Sequence, residues 1–376
     1  MILIKAQRDA LLRPLQMVSG IVERRHTLPI LSNVLIQKKG AVVSLISTDI
    51  EMQITSFSEM GSGSEDVATT VSARKLLDIL RSLPNENEVT VSLANRKMSI
   101  AQGKSRFQLQ TLAAEEFPTV AQAPEFPAHV TLSQKQFKQL LHLVHFAMAQ
   151  QDIRYYLNGL LLVIEANELK AVATDGHRLA YCAIAASEES GIHIQTQAER
   201  LEVIVPRKAI MELQKLLNDS PDVISIDLAT NQVRFKLNSV EIISKLIEGK
   251  FPDYQRVIPK GHTKHLMLSR EVLLGALQRA AILTTDKFKG VRLSLSNDVL
   301  KVSSTNAEQE EALEELEVAY QGEPLDIGFN VQYLLDVLTN LKNADVQLSL
   351  QDPTSSALIT TPAEPEFRYV VMPMRI

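Results

Sequence analysis

The segment GLLLVIEANELKAVATD, residues 159–175, determines the architecture because two other parts of the chain repeat its pattern. Residues 33–49 read NVLIQKKGAVVSLISTD, and residues 290–306 read GVRLSLSNDVLKVSSTN. Each segment opens with a small residue and an apolar run and closes on Thr-Asp or Thr-Asn. The segments begin 126 and 131 residues apart, which far exceeds the period of a solenoid repeat, so each copy has room for its own core. The sequence therefore predicts three similar domains.

Each copy also contains two stretches with the apolar spacing of a helix and several strand-like runs. The first helix is predicted to follow Gln7, Ser133 and Ser269, and the two serines are expected to act as N-caps. The predicted fold class is α+β, with two helices packed on antiparallel sheets in each domain.

Domain boundaries are expected where this periodicity stops. Residues 119–127 and 253–264 contain proline or glycine and no periodicity, which is typical of linkers. We therefore predict domains at residues 1–125, 126–253 and 254–376. Gly61–Ser64 is expected to be a flexible loop, and Ser187–Arg200 a polar surface insertion.

The composition is that of an ordinary globular protein, with 45% hydrophobic and 22% charged residues. The sequence has no apolar run of membrane-spanning length and does not begin like a signal peptide, so the cytoplasm is the expected location. The single cysteine, Cys182, excludes an intrachain disulfide, and we expect it to be buried.

Charge is unevenly distributed along the chain. Across six predicted helix segments Lys and Arg exceed Asp and Glu by ten, although the net charge of the chain is −5. Cationic helices suit sequence-independent contact with phosphates, while a solvated helix face fits the same pattern equally well. Because the chain has no Trp and only 5% aromatic residues, base stacking on single strands is disfavoured.

Six glutamates crowd into residues 308–317. Local propensity predicts a helix there, but the repeat aligns the segment with strand-like stretches, and we predict a strand. A basic face on the first domain of another chain would match these carboxylates. A solvated acidic edge that prevents sheet aggregation is the alternative.

Residues 174–178, TDGHR, combine a carboxylate, an imidazole and a guanidinium, a set that suits acid–base catalysis. However, Asp49 and Asn306 occupy the position of Asp175 in the other copies, which favours a shared turn cap. The sequence has no metal-binding histidine spacing, P-loop or nucleophile elbow. We therefore expect neither catalysis nor a cofactor.

Five longer motifs resemble the bacterial DNA polymerase III beta subunit family, the sliding clamps. They are RYYLNG at 154–159, TDGHRL at 174–179, FPDY at 251–254, FKGVRL at 288–293 and the ending YVVMPMRI at 369–376. The resemblance implies the DNA clamp fold, in which each chain forms half of a closed head-to-tail homodimeric ring around double-stranded DNA. It also implies that the ring confers processivity by tethering the replicative polymerase and other partners.

The resemblance further implies three sets of functional residues. DNA contacts are expected at Arg25, Gln151, Tyr155 and Tyr156. The dimer interface is expected to pair Lys75, Lys104 and Arg106 with Glu308, Glu311 and Glu314, beside Ile282 and Leu283. A pocket for short linear motifs of polymerases, the clamp loader and repair proteins is expected at Leu157, Thr174, Gly176, His177, Arg178, Leu179, Pro252, Arg256, Val257, Ser356, Val370, Met372, Pro373, Met374 and Arg375.

Three positions depart from some relatives. Leu313 stands where an acid occurs, which removes one expected ion pair, while Gln255 and Thr354 alter the expected motif preference. Two rival functions stay open: a hydrolase that uses Asp175 and His177, and a monomeric DNA-binding protein with three modules. A hydrolase requires a detectable substrate, and a modular binder holds short linear duplex as tightly as circles.

Overall fold

The structure is a computed structural model that describes residues 1–22, 28–285 and 288–375. The chain forms two compact units. The first unit comprises Met1–Lys135, Gly191–Ala198 and Met211–Leu246, and the second comprises Gln136–Ser190, Glu199–Ile210 and Ile247–Ile376. Within the described ranges no helix has both the length and the apolar character needed to cross a membrane.

Seven α-helices lie in the described part of the chain. They are α1 Arg8–Val18, α2 Ala73–Ser82, α3 Gln134–Val144, α4 Arg207–Leu216, α5 Tyr254–Val257, α6 Arg270–Ala281 and α7 Val331–Asn340. The predicted first helices after Gln7, Ser133 and Ser269 are confirmed as α1, α3 and α6. The predicted capping bond of Ser269 is wrong, because its side chain makes no bond to the helix.

The strands follow the three copies in turn. The first copy contains β1 Ile2–Gln7, β2 Asn33–Lys39, β3 Val42–Thr48, β4 Met52–Glu59, β5 Val67–Ser72, β6 Glu88–Ala94, β7 Lys97–Gln102 and β8 Ser105–Leu112. The middle copy contains β9 Ala128–Ser133, β10 Gly159–Glu165, β11 Glu168–Thr174, β12 Arg178–Ala185, β13 His193–Thr196, β14 Arg200–Pro206, β15 Val223–Leu228, β16 Gln232–Leu237 and β17 Val240–Lys245. The last copy contains β18 Lys264–Ser269, β19 Gly290–Ser296, β20 Val299–Thr305, β21 Glu311–Glu317, β22 Leu325–Asn330, β23 Asp345–Leu350, β24 Ala357–Thr361 and β25 Glu364–Val371.

In the first unit, the described strands form one sheet in the order β1-β6-β7-β8-β5-β2-β3-β4-β17-β16-β15-β9-β13. The first and middle copies meet in this sheet where β4 pairs antiparallel with β17, with Gln53 opposite Ile243. The linker 119–127 is attached to the same sheet. The backbone N–H of Val120 donates to Gln53 Oε1 at 3.0 Å, and that of Ala123 donates to Gln232 Oε1 at 2.8 Å.

The second unit contains two sheets, in the orders β14-β10-β11-β12-β25-β24-β23-β18 and β21-β20-β19-β22. Its longer sheet joins the middle copy to the last copy where β12 pairs antiparallel with β25. The repeat therefore produces the same kind of joint twice. In each joint a strand of one copy pairs with the last strand of the next copy.

The structure of the acidic segment confirms the strand that the repeat predicts. Residues Glu311–Glu317 form β21, which pairs with β20, and Glu315 forms an ion pair with Lys301 at 2.8 Å. Along β21 the side chains alternate in exposure, as expected for a strand with one packed face. The repeat thus overrides the local helix propensity of this sequence.

Three segments are more ordered than the sequence predicted. The linker at 253–264 contains α5, and the Ser187–Arg200 insertion contains β13, which pairs with β9. The Gly61–Ser64 loop is anchored by Lys38, whose side chain is buried. Its Nζ donates to the carbonyl oxygens of Gly63 at 3.0 Å and Glu65 at 2.7 Å. A buried ammonium group must have hydrogen-bond acceptors. No local sequence pattern marks the carbonyls of Gly63 and Glu65 as the acceptors for Lys38.

Candidate functional site

The turn between β11 and β12 is built by its own side chains. Asp175 Oδ1 accepts bonds from the backbone N–H groups of His177 at 2.9 Å and Arg178 at 3.1 Å. Thr174 Oγ1 donates to the carbonyl of Arg178 at 2.6 Å and accepts from the N–H of Gly176 at 3.1 Å. These bonds confirm the prediction that Asp175 caps a turn.

The same turn occurs in the first copy. Asp49 Oδ1 accepts from the N–H groups of Glu51 at 3.0 Å and Met52 at 2.8 Å, and Thr48 Oγ1 donates to the Met52 carbonyl. In the last copy, Asn306 Oδ1 instead accepts from the N–H of Glu310 at 2.9 Å. The Asp and Asn positions therefore cap a turn in all three copies, with a longer turn in the last.

Gly176 lets Arg154 approach the turn closely. Its φ is +89°, and a Cβ on this residue would lie 2.8 Å from Arg154 Nη1. The Arg154 guanidinium donates to the carbonyl of Asp175 at 3.1 Å and forms an ion pair with Asp152 at 2.8 Å. Hydrogen bonds from Arg154 lower the pKa of Asp152 to about 2. The position therefore favours glycine for both its backbone conformation and the space available.

Arg178 anchors the turn to α7. Its side chain is only 10% exposed, Nη1 donates to Asp336 at 2.5 Å, and Nη2 donates to the carbonyl of Phe146 at 2.8 Å. The guanidinium carbon lies 4.6 Å from the centre of the Tyr333 ring. The exposed His177 ring stacks on the same tyrosine, with centroids 6.5 Å apart. Tyr333 thus supports both basic residues of the turn.

An apolar floor lies beside the turn. Leu179 and Val370 are opposite each other across β12 and β25 and belong to one buried cluster. The remaining buried members are Leu161, Val163, Val172, Ile204, Phe251 and Tyr254. Val257 of α5 packs against this cluster and is partly exposed. Residues of the middle copy, the second linker and the last strand therefore share one apolar cluster.

The chain after β25 is bonded to the same turn. The N–H of Met372 donates to the carbonyl of His177 at 2.9 Å, and the N–H of Met374 donates to the carbonyl of Gly328 at 2.8 Å. Met372 is 39% exposed. On α5, the exposed Arg256 forms an ion pair with Asp253 at 2.9 Å and precedes Val257, which packs on the apolar cluster.

All fifteen predicted pocket residues lie in the second unit, but they differ in exposure. His177, Pro252, Arg256, Met372 and Arg375 are exposed, and Gly176, Arg178, Val257, Ser356, Pro373 and Met374 are half-buried. Leu157, Thr174, Leu179 and Val370 are buried. These four residues are closed to solvent, and two of them, Leu179 and Val370, belong to the apolar cluster.

Of the predicted DNA contacts, Arg25 lies outside the described residues. Gln151 is exposed with a positive φ of 57°, and Tyr155 is 58% exposed. Tyr156 is half-buried and packs against the apolar cluster that contains Leu179. Two of these residues are therefore open to solvent, while Tyr156 is partly covered by that cluster.

The predicted interface residues lie on surfaces of both units. Lys75, Lys104, Arg106, Glu308 and Glu311 are exposed. Ile282 is 75% exposed, and Leu283 is half-buried. The Glu314 carboxylate already has a partner in its own chain, because Arg279 donates to both of its oxygens, at 2.9 and 2.5 Å.

Comparison with known proteins identifies the family. Profiles of the N-terminal, central and C-terminal domains of the DNA polymerase III beta subunit match residues 2–121, 131–253 and 255–375. The chain belongs to the DNA polymerase III beta subunit family. Beta sliding clamps of Pseudomonas putida and Escherichia coli are 46% and 44% identical to it, each over 370 residues that cover 98% of this chain and 99% of the relative.

Solved structures of the family have the same fold. The DNA polymerase sliding clamp of Pseudomonas aeruginosa with ligand matches with a TM-score of 0.94 at 44% identity, and the Caulobacter crescentus pol III beta with 0.91 at 34% identity. Both comparisons cover 100% of each chain. Another Pseudomonas aeruginosa clamp, at 45% identity and a TM-score of 0.94, was solved bound to griselimycin.

Members of the beta subunit family are processivity factors. This chain functions as a sliding clamp: it forms a dimeric ring around duplex DNA and tethers the replicative polymerase and other partners. The predictions of family, fold class, function and partners are therefore confirmed.

The predicted pocket residues do not include several side chains that hold the turn in place. Tyr333 and Asp336 on α7 hold Arg178, and Arg154 packs against Gly176. Arg154 belongs to the motif RYYLNG, so the sequence contains a signal for it. No local sequence pattern marks Tyr333 and Asp336 as partners of Arg178.

Proposed function

We propose that the turn at 174–178, α5 and the residues after β25 form a groove, the peptide groove, where this sliding clamp binds the short linear motifs of polymerases, the clamp loader and repair proteins. One observation carries the proposal. The turn at 174–178, the residues after β25 and α5 all border the apolar cluster that contains Leu179 and Val370. No single domain supplies this surface alone.

The chemistry of the groove suits a short peptide with apolar anchors. Val257 and Met372 offer adaptable apolar contact, and Met fills irregular spaces well because its side chain is flexible. The exposed His177 and Arg256 supply polar groups at the edge, where they orient a peptide backbone. Because Arg178 is held by Asp336 and Tyr333, the turn is rigid before a peptide arrives.

The test is fluorescence anisotropy with a labelled peptide that carries the clamp-binding motif of a replicative polymerase. Met372→Ser removes an apolar contact and is expected to weaken binding about tenfold. Met267→Ser is the matched control, since Met267 is 53% exposed on β18. Equal affinity of both variants and the unchanged chain contradicts the proposed site.

We further propose that Arg25, Gln151, Tyr155 and Tyr156 contact the encircled duplex. The exposure of Gln151 and Tyr155 supports this assignment. Contacts of this kind are sequence-blind and weaken as salt increases. Retention on closed circular DNA with loss from linear DNA of the same length is expected. Equal retention on both favours the modular DNA-binding alternative.

The internal joints also support a specific dimer contact. Strands β17 and β25 complete the two internal joints. Each is the last of three consecutive strands: β15–β17 follow α4, and β23–β25 follow α7. β8 is the equivalent strand of the first copy, and among the described strands its residues 105–110 pair only with β7. β21 likewise has a described neighbour on one side only. We propose that β21 of one chain pairs with β8 of the next.

The repeat also predicts the register of this contact. Thr48 is opposite Gln53 and Thr305 is opposite Glu311, so Glu311 corresponds to Gln53. Strands β7 and β8 of the first copy correspond to β16 and β17 of the middle copy. When the two sets of paired residues are aligned, Gln108 of β8 corresponds to Ile243 of β17. Since Gln53 pairs with Ile243, Glu311 is expected opposite Gln108.

This register places the acidic strand beside the basic residues of the first domain. We propose that Lys75, Lys104 and Arg106 face Glu308 and Glu311, with Ile282 and Leu283 packed alongside. Glu314 takes part together with Arg279, its partner within the chain.

We propose that the chain has no catalytic activity of its own. The carboxylate of Asp175, the best candidate for acid–base chemistry, accepts bonds from two backbone N–H groups and from Arg178 Nε. Its oxygens are thus engaged in holding the turn. A variant at the neighbouring exposed residue separates the two functions. In a peptide-binding clamp, His177→Ala is expected to weaken peptide binding, whereas a hydrolase would lose turnover of its substrate.

We also propose that the domain boundaries lie at 125/126 and 253/254, within or beside the two linkers. Because the clamp encircles replicating DNA, we propose that it acts in the cytoplasm. Fractionation of cells that express a tagged chain tests the location.

A further inference from the structure

One wall of the groove depends on a very short helix. α5 contains four residues and carries Arg256 and Val257. A helix of this length is not stable by itself, because nucleation costs more than so few hydrogen bonds return. Tyr254 attaches α5 to the sheet: its side chain is 4% exposed, and its ring stacks on Tyr181 of β12 with centroids 5.8 Å apart.

Arg200 holds the other end of that tyrosine. Its Nη2 donates to the Tyr254 hydroxyl at 3.2 Å. The same guanidinium forms ion pairs with Glu165 at 3.0 Å and with Glu202 at 2.6 Å. Glu165 and Glu202 lie on neighbouring strands and bind the planar guanidinium of Arg200 at different nitrogens. They therefore fix the direction in which the guanidinium donates to the Tyr254 hydroxyl.

One of the carboxylates that orient Arg200, Glu165, is itself held in place by Lys170. Lys170 is only 10% exposed, and its Nζ lies 2.8 Å from both Glu165 and Glu168. The network therefore crosses β14, β10 and β11 and reaches α5 through one hydroxyl. A single exposed ion pair contributes little, but a network with several fixed members restricts geometry more strongly.

We infer that Arg200 is a positioning residue for the peptide groove: by fixing Tyr254 it holds α5 in the conformation that presents Val257 to a partner peptide. This inference rests on the proposed peptide site. Arg200 is the last residue of the polar insertion at 187–200, so the insertion ends in a residue that acts on the groove. It touches α5, and the peptide contacts α5 in turn.

The test is a double-mutant cycle on peptide affinity, measured by anisotropy with the labelled polymerase peptide. Arg200→Ala is expected to weaken binding about fivefold, because α5 is then in the binding-competent conformation for less of the time. Tyr254→Phe keeps the ring stack and removes the hydroxyl, with an expected loss of about threefold. Arg200→Ala is expected to have little further effect in the Tyr254→Phe background, because both changes remove the same bond.

Arg234→Ala is the matched control. Arg234 also forms an ion pair with a carboxylate, Asp227, at 2.7 Å, but it belongs to the first unit. It is expected to leave peptide affinity unchanged. Hydrogen exchange adds a direct readout: the N–H of Ile258, bonded to the Tyr254 carbonyl at 3.2 Å, is expected to exchange faster in Arg200→Ala.

The outcomes separate this inference from the proposed site. An unchanged chain that does not bind the peptide refutes the site itself. Normal binding by both Arg200→Ala and Tyr254→Phe overturns the positioning role while leaving the site intact. Additive losses in the double variant overturn the route through the hydroxyl. If Arg200→Ala does not fold, Tyr254→Phe alone decides, since it removes only one oxygen.

Discussion

Arg178 and Asp336 are 158 positions apart in the chain, yet their side chains are joined by a 2.5 Å hydrogen bond. Arg178 belongs to the middle copy and Asp336 to the last copy. The bond therefore fastens the turn of the groove to α7, and the aromatic face of Tyr333 covers the same guanidinium. One half-buried arginine thus joins the middle copy to the last copy.

Breaking this pair is expected to lower both stability and peptide affinity. Arg178→Ala leaves the Asp336 carboxylate without its cation, and we expect the free energy of unfolding to fall by about 2–3 kcal/mol. Urea denaturation measures the change. Asp336→Asn is the partner variant. If the two changes simply add in the double variant, the side chains are not coupled.

Gly176→Ala tests the close packing of the turn. The new Cβ meets Arg154 Nη1, and a φ of +89° is unfavourable for alanine, so a loss of about 1–2 kcal/mol in stability is expected. Peptide affinity should fall as the turn shifts. Gly191→Ala is the control, because its φ is +68° but a Cβ there meets nothing within 4 Å. A loss of affinity in the control as well would contradict a specific effect of the Arg154 contact.

Cys182 is expected to resist alkylation in the folded protein. Burial raises the pKa of its thiol to about 12, so almost none is thiolate at about pH 8. Since the folded pKa exceeds the unfolded one, this group favours the folded state less and less as pH rises from about 9 towards 12. Iodoacetamide labelling followed by mass spectrometry measures the rate.

The comparison variant for that experiment is Glu188→Cys in a Cys182→Ser background. Glu188 is exposed, so its replacement should react quickly without denaturant. Similar rates for the two thiols would show that Cys182 is accessible.

The proposed dimer register predicts a specific cross-link. In a Cys182→Ser background, Gln108→Cys combined with Glu311→Cys places two thiols opposite each other on neighbouring strands, within the reach of a disulfide. Oxidation should then link the chains covalently, as seen on a non-reducing gel. Gln108→Cys with Ala312→Cys shifts one thiol to the other face and should link poorly. Equal cross-linking in both variants would exclude this register.

The sequence predicted most of the secondary structure because the three copies support one another. The acidic strand Glu311–Glu317 is the clearest case, since its own residues favour a helix while its counterparts are strands. The turn cap at Asp175 was predictable for the same reason. Repetition supplied information that a single copy lacks.

Long-range partners could not be predicted in this way. The bond from Arg200 to Tyr254 and the anchoring of the 61–64 loop by Lys38 join residues that share no periodicity. The capping bond expected of Ser269 failed because a suitable residue type does not ensure a suitable side-chain geometry. Side-chain networks form when residues distant in the chain pack together, and no local sequence pattern identifies their members.

The turn that begins at Thr48 indicates how the proposed groove of the middle copy arose. In the first copy it lies beside Gln53, whose amide accepts from the first linker, and in the middle copy it lies beside Leu179, which is part of the apolar floor. The two side chains occupy equivalent places. If the domains arose by duplication, the turn is older than the proposed groove. The apolar floor of the middle copy then came from a replacement at one inherited position, where Leu179 stands in the place that the Gln53 amide fills in the first copy.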